Sequence, residues 1–177
     1  MAKSAMSKLT RIWQNRKISN KTKKQLVQTL VFSIFLYGSE SWTIRSMERK
    51  KIDAFEMWCW RRMLRIPWTA RRTNVSILQQ LNIKTRLSSI CCQRVLRYFG
   101  HIARRQPDSL DKLMVLGKVE VKRPSGRRPT RWSDQVTNLT GLQVTAALRK
   151  AEDRTDWRKF TKIVTQTLDQ SGHDLQE

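Results

Sequence analysis

Acidic residues are scarce in this chain, and over one long stretch they are missing. The 177 residues hold 14 Asp+Glu against 36 Lys+Arg, and none of those acids falls between Glu56 and Asp108. A shortage this deep excludes the paired-carboxylate clusters on which two-metal and acid–base chemistry depend, because the few carboxylates are scattered. Cysteine is also sparse: three thiols, an odd number without framework spacing, exclude a disulfide scaffold. Long apolar runs are absent too. The longest, residues 29–37, is broken by Ser33 and falls far short of the ~20 residues that span a bilayer. The N-terminal MAKSAMSKL lacks the apolar segment of a secretory signal. These absences point to a reducing compartment, nucleus and/or cytoplasm, with no secretion and no membrane span. No phosphate-cradling G-x-x-x-x-G-K-[ST] loop, no H-E-x-x-H pair and no nucleophile with a plausible base occurs.

What is present is positive charge on a chain that can still bury a core. The formal charge is +22, and 39% of residues are hydrophobic, with Trp at 7 positions. Disordered basic tails are poor in aromatics, so a folded chain is expected. The excess of base is uneven. Residues 1–70 carry 15 basic and 4 acidic groups, 71–131 carry 15 and 3, and 132–177 carry 6 and 7. Such a field says little about fold and much about partners, since it attracts phosphate.

Apolar spacing by threes and fours predicts an all-α protein. Residues 3–16 read as a first helix, and a second starts at Ser19 or Asn20, with Asn20 a good N-cap, and stops at Gly38. A third spans 46–65, with Ile52, Phe55, Cys59, Met63 and Ile66 as its core face and Pro67 as its stop. A short helix at 74–81 and a long one at 84–105 follow, the latter with Leu87, Cys91, Val95, Tyr98 and Ile102 inward. The stretch 118–131, KVEVKRPSGRRPTR, combines prolines, a glycine and dense base, and reads as an extended linker. Three short helices are expected after it, near 129–138, 143–150 and 155–168. The organisation is therefore a helical region at 1–66, a basic helical region at 67–116, a basic linker at 117–131 and a small helical unit at 132–177.

Metal chemistry is the first to test against these elements. Cys59, Cys91, Cys92, His101 and His173 lack the close-paired spacing of structural zinc, and adjacent Cys91 and Cys92 cannot both join one tetrahedron without strain. They read as core thiols, with no metal and no cofactor. Glu152, Asp153 and Asp156 read as acids at the start of the last helix, where they complement its dipole. Nucleic-acid binding fits better. On the third helix Lys50, Lys51, Trp58, Arg61, Arg62 and Arg65 share a stripe of roughly 120°. On the long helix Arg86, Arg94, Arg97, His101 and Arg104 share one face. A merely solvated helix face carries acids that pair with its bases at i,i+4, and these faces have none. Trp58 stands apart: its ring can stack on a base, or a neighbouring helix can cover it. In the linker, Lys122, Arg123, Arg127, Arg128 and Arg131 are candidates to follow a phosphate backbone, although basic runs also serve as spacers or import signals.

Five blocks, in order, carry a resemblance: LVFSIFLYGSESW, ERKKIDAFEMWCWRRMLRIPW, RVLRYFGHIARR, GKVEVKRPSGRRPTRW and AEDRTDWR. Together they resemble the C-terminal region, thumb and downstream, of the endonuclease–reverse transcriptases of non-LTR (LINE-type, RTE-like) retrotransposons. The resemblance implies that residues 1 to about 65 correspond to the thumb, which grips template and primer. It implies RNA, RNA–DNA or DNA duplex as partner, together with a separate reverse transcriptase palm. The family's polymerase needs a palm Asp-Asp pair, and no Asp-Asp occurs in this chain. The expectation is a non-catalytic binding segment. Alternatives are a fragment of a working RNA-directed DNA polymerase, or a basic amphipathic protein for membrane surfaces or acidic partners.

Overall fold

The computed structural model describes residues 1–117 and 130–171, and these form an all-α protein with no strand among them. The first expected helix is two pieces, α1 (Ala2–Lys8) and α2 (Thr10–Gln14), separated at Leu9. The indole of Trp13 bridges the break by donating to the Met6 carbonyl at 3.1 Å. The second helix runs from α3 (Asn20–Leu26) through a π-helical stretch, Val27–Phe32, into α4 (Ser33–Phe35). Ser19, not Asn20, is its N-cap, accepting the Thr22 N–H at 3.2 Å. Gly38 stops it in the left-handed region at φ 69°, where a side chain would be strained.

The third helix is α5 (Ser46–Leu64), which ends on Arg65 at φ 56° before Pro67. Its buried residues are Ile52, Glu56, Met57, Cys59, Trp60 and Met63. That arc is turned by roughly 60° from the one centred on Phe55, Cys59 and Ile66 that apolar spacing predicted. The reason is that Glu56 and Trp60 are inside together. α6 (Asn74–Gln80) begins at a Thr73 cap, and α7 (Leu87–Ala103) buries eleven of its seventeen residues. α8 (Leu110–Leu116), which the sequence reading lacked, sits between Pro107 and a left-handed Gly117. α9 (Trp132–Thr140), α10 (Val144–Glu152) and α11 (Arg154–Ser171) complete the chain.

α7 is the axis of the fold, with α5, α8, α9, α10 and α11 packed around it. One buried cluster runs from Met6 to Trp157. The helices after residue 131 thus share their core with those before 118 and do not form a unit set apart. Gln135 on α9 fastens the chain after Gly38: it accepts the Ile44 N–H at 2.7 Å and donates to the Trp42 carbonyl at 2.6 Å. The Trp132 indole donates to the Glu40 carbonyl at 2.9 Å.

The start of α7 is held by carboxylates distant in sequence. Asp169 of α11 accepts the Arg86 N–H at 3.1 Å and the Ser89 hydroxyl at 2.6 Å. Glu56 of α5 accepts the Arg86 Nε–H at 2.7 Å and the Trp60 indole at 3.3 Å, while Asp53 stands 3.5 Å from the same guanidinium. Burial pushes the Glu56 carboxyl up from its ordinary range, and Arg86 together with the Leu87 and Trp60 N–H groups opposes that. Removing one partner of a buried pair strands the other charge, at about 3–5 kcal/mol. Glu56→Ala is expected to lower unfolding stability by about that amount in urea melts. A loss below ~1 kcal/mol, the typical worth of an exposed pair, would show that the pair is not a structural lock.

Cys59, Cys91 and Cys92 are all buried and unpaired, as core thiols. Burial pushes Cys59 and Cys91 up to about 12 and Cys92 up to about 11, from an ordinary 9.0. A thiol whose folded value is raised keeps its proton where the unfolded chain has lost it. Stability tied to these groups is therefore full below pH 9 and falls as pH rises toward 11–12. At pH 8 native protein is expected to resist a thiol-specific disulfide reagent, while denatured protein releases three equivalents. Rapid labelling of the native chain would show an accessible thiolate.

Candidate nucleic-acid interface

α7 and α11 run antiparallel, since Asp169 meets Arg86 at one end and Trp157 meets Leu96 further along. Trp157 is 3% exposed, and its indole donates to the Leu96 carbonyl at 2.9 Å. It seats there because residue 100 is glycine: a Cβ on Gly100 would lie 2.5 Å from Trp157 Cδ1 and Nε1. Bringing the two helices this close leaves a groove of about 560 Å³ along their outer edge.

Basic side chains line both walls of that groove. α7 contributes Arg97, His101 and Arg104 beside Gln93, which recur at three- and four-residue steps. α11 contributes Arg154, Arg158 and Lys162 at i, i+4 and i+8, with Trp157 and Thr161 between them. No carboxylate among the described residues lines it. The Arg104 guanidinium is fixed on one side by donating to the Ala151 carbonyl at 2.7 Å.

The predicted residues divide according to what else they touch. Arg97, His101 and Arg104 are exposed and gathered in the groove. Arg86 is a correction: at 6% exposure and paired with Glu56, its guanidinium is a core group and cannot reach a phosphate. Arg94 is half-buried and donates to the Leu36 carbonyl at 2.8 Å, which closes the end of α4. Arg61, also half-buried, donates to the Arg72 carbonyl at 2.6 Å and to Asn74 Oδ1 at 3.1 Å. These two serve the fold. Lys50, Lys51, Arg62 and Arg65 are exposed on α5, a separate surface from the groove. Trp58 is half-buried, stacked on Phe55 at 6.1 Å, with Arg62 and Lys3 5.5 and 5.9 Å from its ring centre. Arg131 is half-buried at the start of α9, its N–H bound to Asp134. Lys122, Arg123, Arg127 and Arg128 lie outside the described residues.

Arg154, Arg158 and Lys162 escaped the sequence reading, because residues 132–177 are near neutral in total. Their i, i+4, i+8 spacing was the available signal. Two acids of that stretch, Asp153 and Asp156, are occupied elsewhere. Asp153 caps α11 through the Asp156 and Thr155 N–H groups, which lower its carboxyl below the ordinary range. Asp156 pairs with Lys150 at 2.9 Å. Among the described residues no group of three His, Cys, Asp or Glu is placed to hold a metal ion, and no helix is long and apolar enough to cross a membrane.

The chain is 25% identical over 147 residues to an uncharacterized transposon-derived protein of Caenorhabditis elegans, a match covering 77% of this chain and 53% of that protein. It spans about half the length of that relative. The likeness supports a transposon-related origin. No protein-family model matches the chain, and no solved structure does.

Proposed function

We propose that this chain is a non-catalytic, nucleic-acid-binding part of a transposon-encoded protein. It takes the phosphates of RNA or an RNA–DNA template–primer along the α7–α11 groove. The observation that carries the reading is a groove walled by cations from two helices, with no carboxylate among its described lining residues. Counter-charges are what such a surface lacks, and a phosphate backbone supplies them at regular spacing. The resemblance to the thumb and downstream region of a retrotransposon reverse transcriptase supports the same class of ligand. Contact through guanidinium and ammonium groups reads charge and shape rather than base sequence.

The test is a salt titration by fluorescence anisotropy on unrelated oligonucleotides. Each phosphate neutralised contributes about 0.9 to the slope of log affinity against log salt on duplex and about 0.7 on a single strand. Arg97→Gln with Arg158→Gln, both exposed positions, is expected to weaken binding to every sequence and flatten the slope by roughly one to two units. An unchanged slope in a variant that melts like the parent would take the groove out of the interface and leave the exposed face of α5.

The resemblance to a reverse transcriptase carries a second reading, in which the chain works as one piece of a polymerase. The two readings differ when the chain is alone. Purified protein is expected to incorporate no nucleotide on a primed RNA template with Mg²⁺ or Mn²⁺. Incorporation above a mock preparation would end the non-catalytic proposal.

A further inference from the structure

Away from the groove, a recess of about 200 Å³ opens between the end of α2, the start of α3 and the end of α5. We infer that it is a binding site for a single phosphate group, held by Lys23, Arg16, Arg65 and Arg72. The inference stands on its own residues and needs no contribution from the α7–α11 groove.

Lys23 is the first observation. Its side chain lines the recess although the residue is only 6% exposed. The ammonium has three donors, of which one meets the Trp13 carbonyl at 3.0 Å. Its charge is opposed by no carboxylate within ion-pair distance among the described residues. A buried cation is ordinarily matched by an anion, since one carbonyl dipole compensates only part of its lost hydration. Here the fold leaves that anion out.

The second observation is the rest of the wall. Arg16, Arg65 and Arg72 line the same recess, and no acid among the described residues does. Arg72 is already oriented: its guanidinium donates to Gln80 Oε1 at 2.8 Å and approaches the Ser76 hydroxyl at 3.5 Å. Arg65 ends α5 in the left-handed region at φ 56°, where the chain turns across the recess mouth. Guanidinium forks match paired phosphate oxygens, and a phosphomonoester carries close to two charges at neutral pH. A recess of about 200 Å³ accepts one tetrahedral oxyanion and its ester link, whereas the groove of about 560 Å³ has room for a longer stretch of backbone. The phosphate is either the free ion or the terminal group of a strand.

Thermal melts of the full chain test this, with inorganic phosphate titrated against chloride at matched ionic strength. A ligand that binds only the folded state raises the midpoint in proportion to occupancy. A saturable rise is expected for the parent chain. It should be lost in Arg16→Gln with Arg65→Gln, both exposed, and in Lys23→Met, and retained in Arg97→Gln with Arg158→Gln. A second arm compares 5′-phosphorylated and 5′-hydroxyl oligonucleotides of one sequence. Several-fold tighter binding of the phosphorylated strand, abolished by the Arg16/Arg65 changes, assigns the strand end. Equal binding alongside an intact phosphate response assigns the free ion. The inference is overturned if phosphate gives no rise beyond chloride, or if the rise survives the Arg16/Arg65 changes. Because those two residues are exposed, the outcome does not depend on whether Lys23→Met folds.

Discussion

The first turn of α7 lacks a side chain of its own to cap it, and the fold is organised around that deficit. The Arg86 N–H is taken by Asp169, 83 positions away, and the Leu87 N–H by Glu56. Arg86 supplies the positive charge that lets Glu56 sit 1% exposed. Capping, ion pairing and helix packing are coupled here, because α5 and α11 each deliver a carboxylate to the start of α7 while packing against it. A buried pair adds little net stability over an apolar substitute, yet it tolerates only one register of the three helices. That register fixes which cations face outward.

Scarcity of acid shapes the rest of the surface. With so few carboxylates, several cations turn to main-chain carbonyls left open at helix ends, where the helix dipole also favours positive charge. Arg94 takes Leu36, Arg104 takes Ala151, Lys112 takes Ala103 and Lys24 takes Leu81. Each such contact is worth about 0.3–1 kcal/mol. Formal charge therefore overstates what is free to meet a ligand. Arg97, Arg154, Arg158 and Lys162 are exposed on the α7–α11 groove, and Lys50, Lys51 and Arg62 on α5.

Periodicity made the helices legible, because burial against a neighbour selects for apolar residues at threes and fours regardless of which neighbour it is. It located α5, α6, α7 and the three last helices to within a few residues. It could not locate partners. The inward turn of Glu56 depends on Arg86, a residue on another helix, so α5 is rotated from its apolar stripe and Arg61 is drawn to its margin. α8 went unseen because it is only seven residues long, between Pro107 and Gly117. The groove was half legible: the α7 wall shows in an acid-free sequence, while the α11 wall is hidden among acids that cap and pair away from it.

Placing Arg97 and Arg104 against Arg154, Arg158 and Lys162 works against the folded state, since like charges brought together in one groove repel. Packing pins them there nonetheless. Trp157 lies against Phe99 at 5.6 Å and Phe160 at 5.7 Å, and Phe99 against Trp132 at 6.2 Å, so an aromatic column beneath the groove holds α7, α9 and α11 together. Gly100 lets that column close by leaving room for the indole. The cations of two helices are thereby held at fixed separation before any ligand arrives. An anion that bridges the walls relieves a repulsion already present and orders few side chains in doing so, which is the condition under which electrostatic contacts yield affinity.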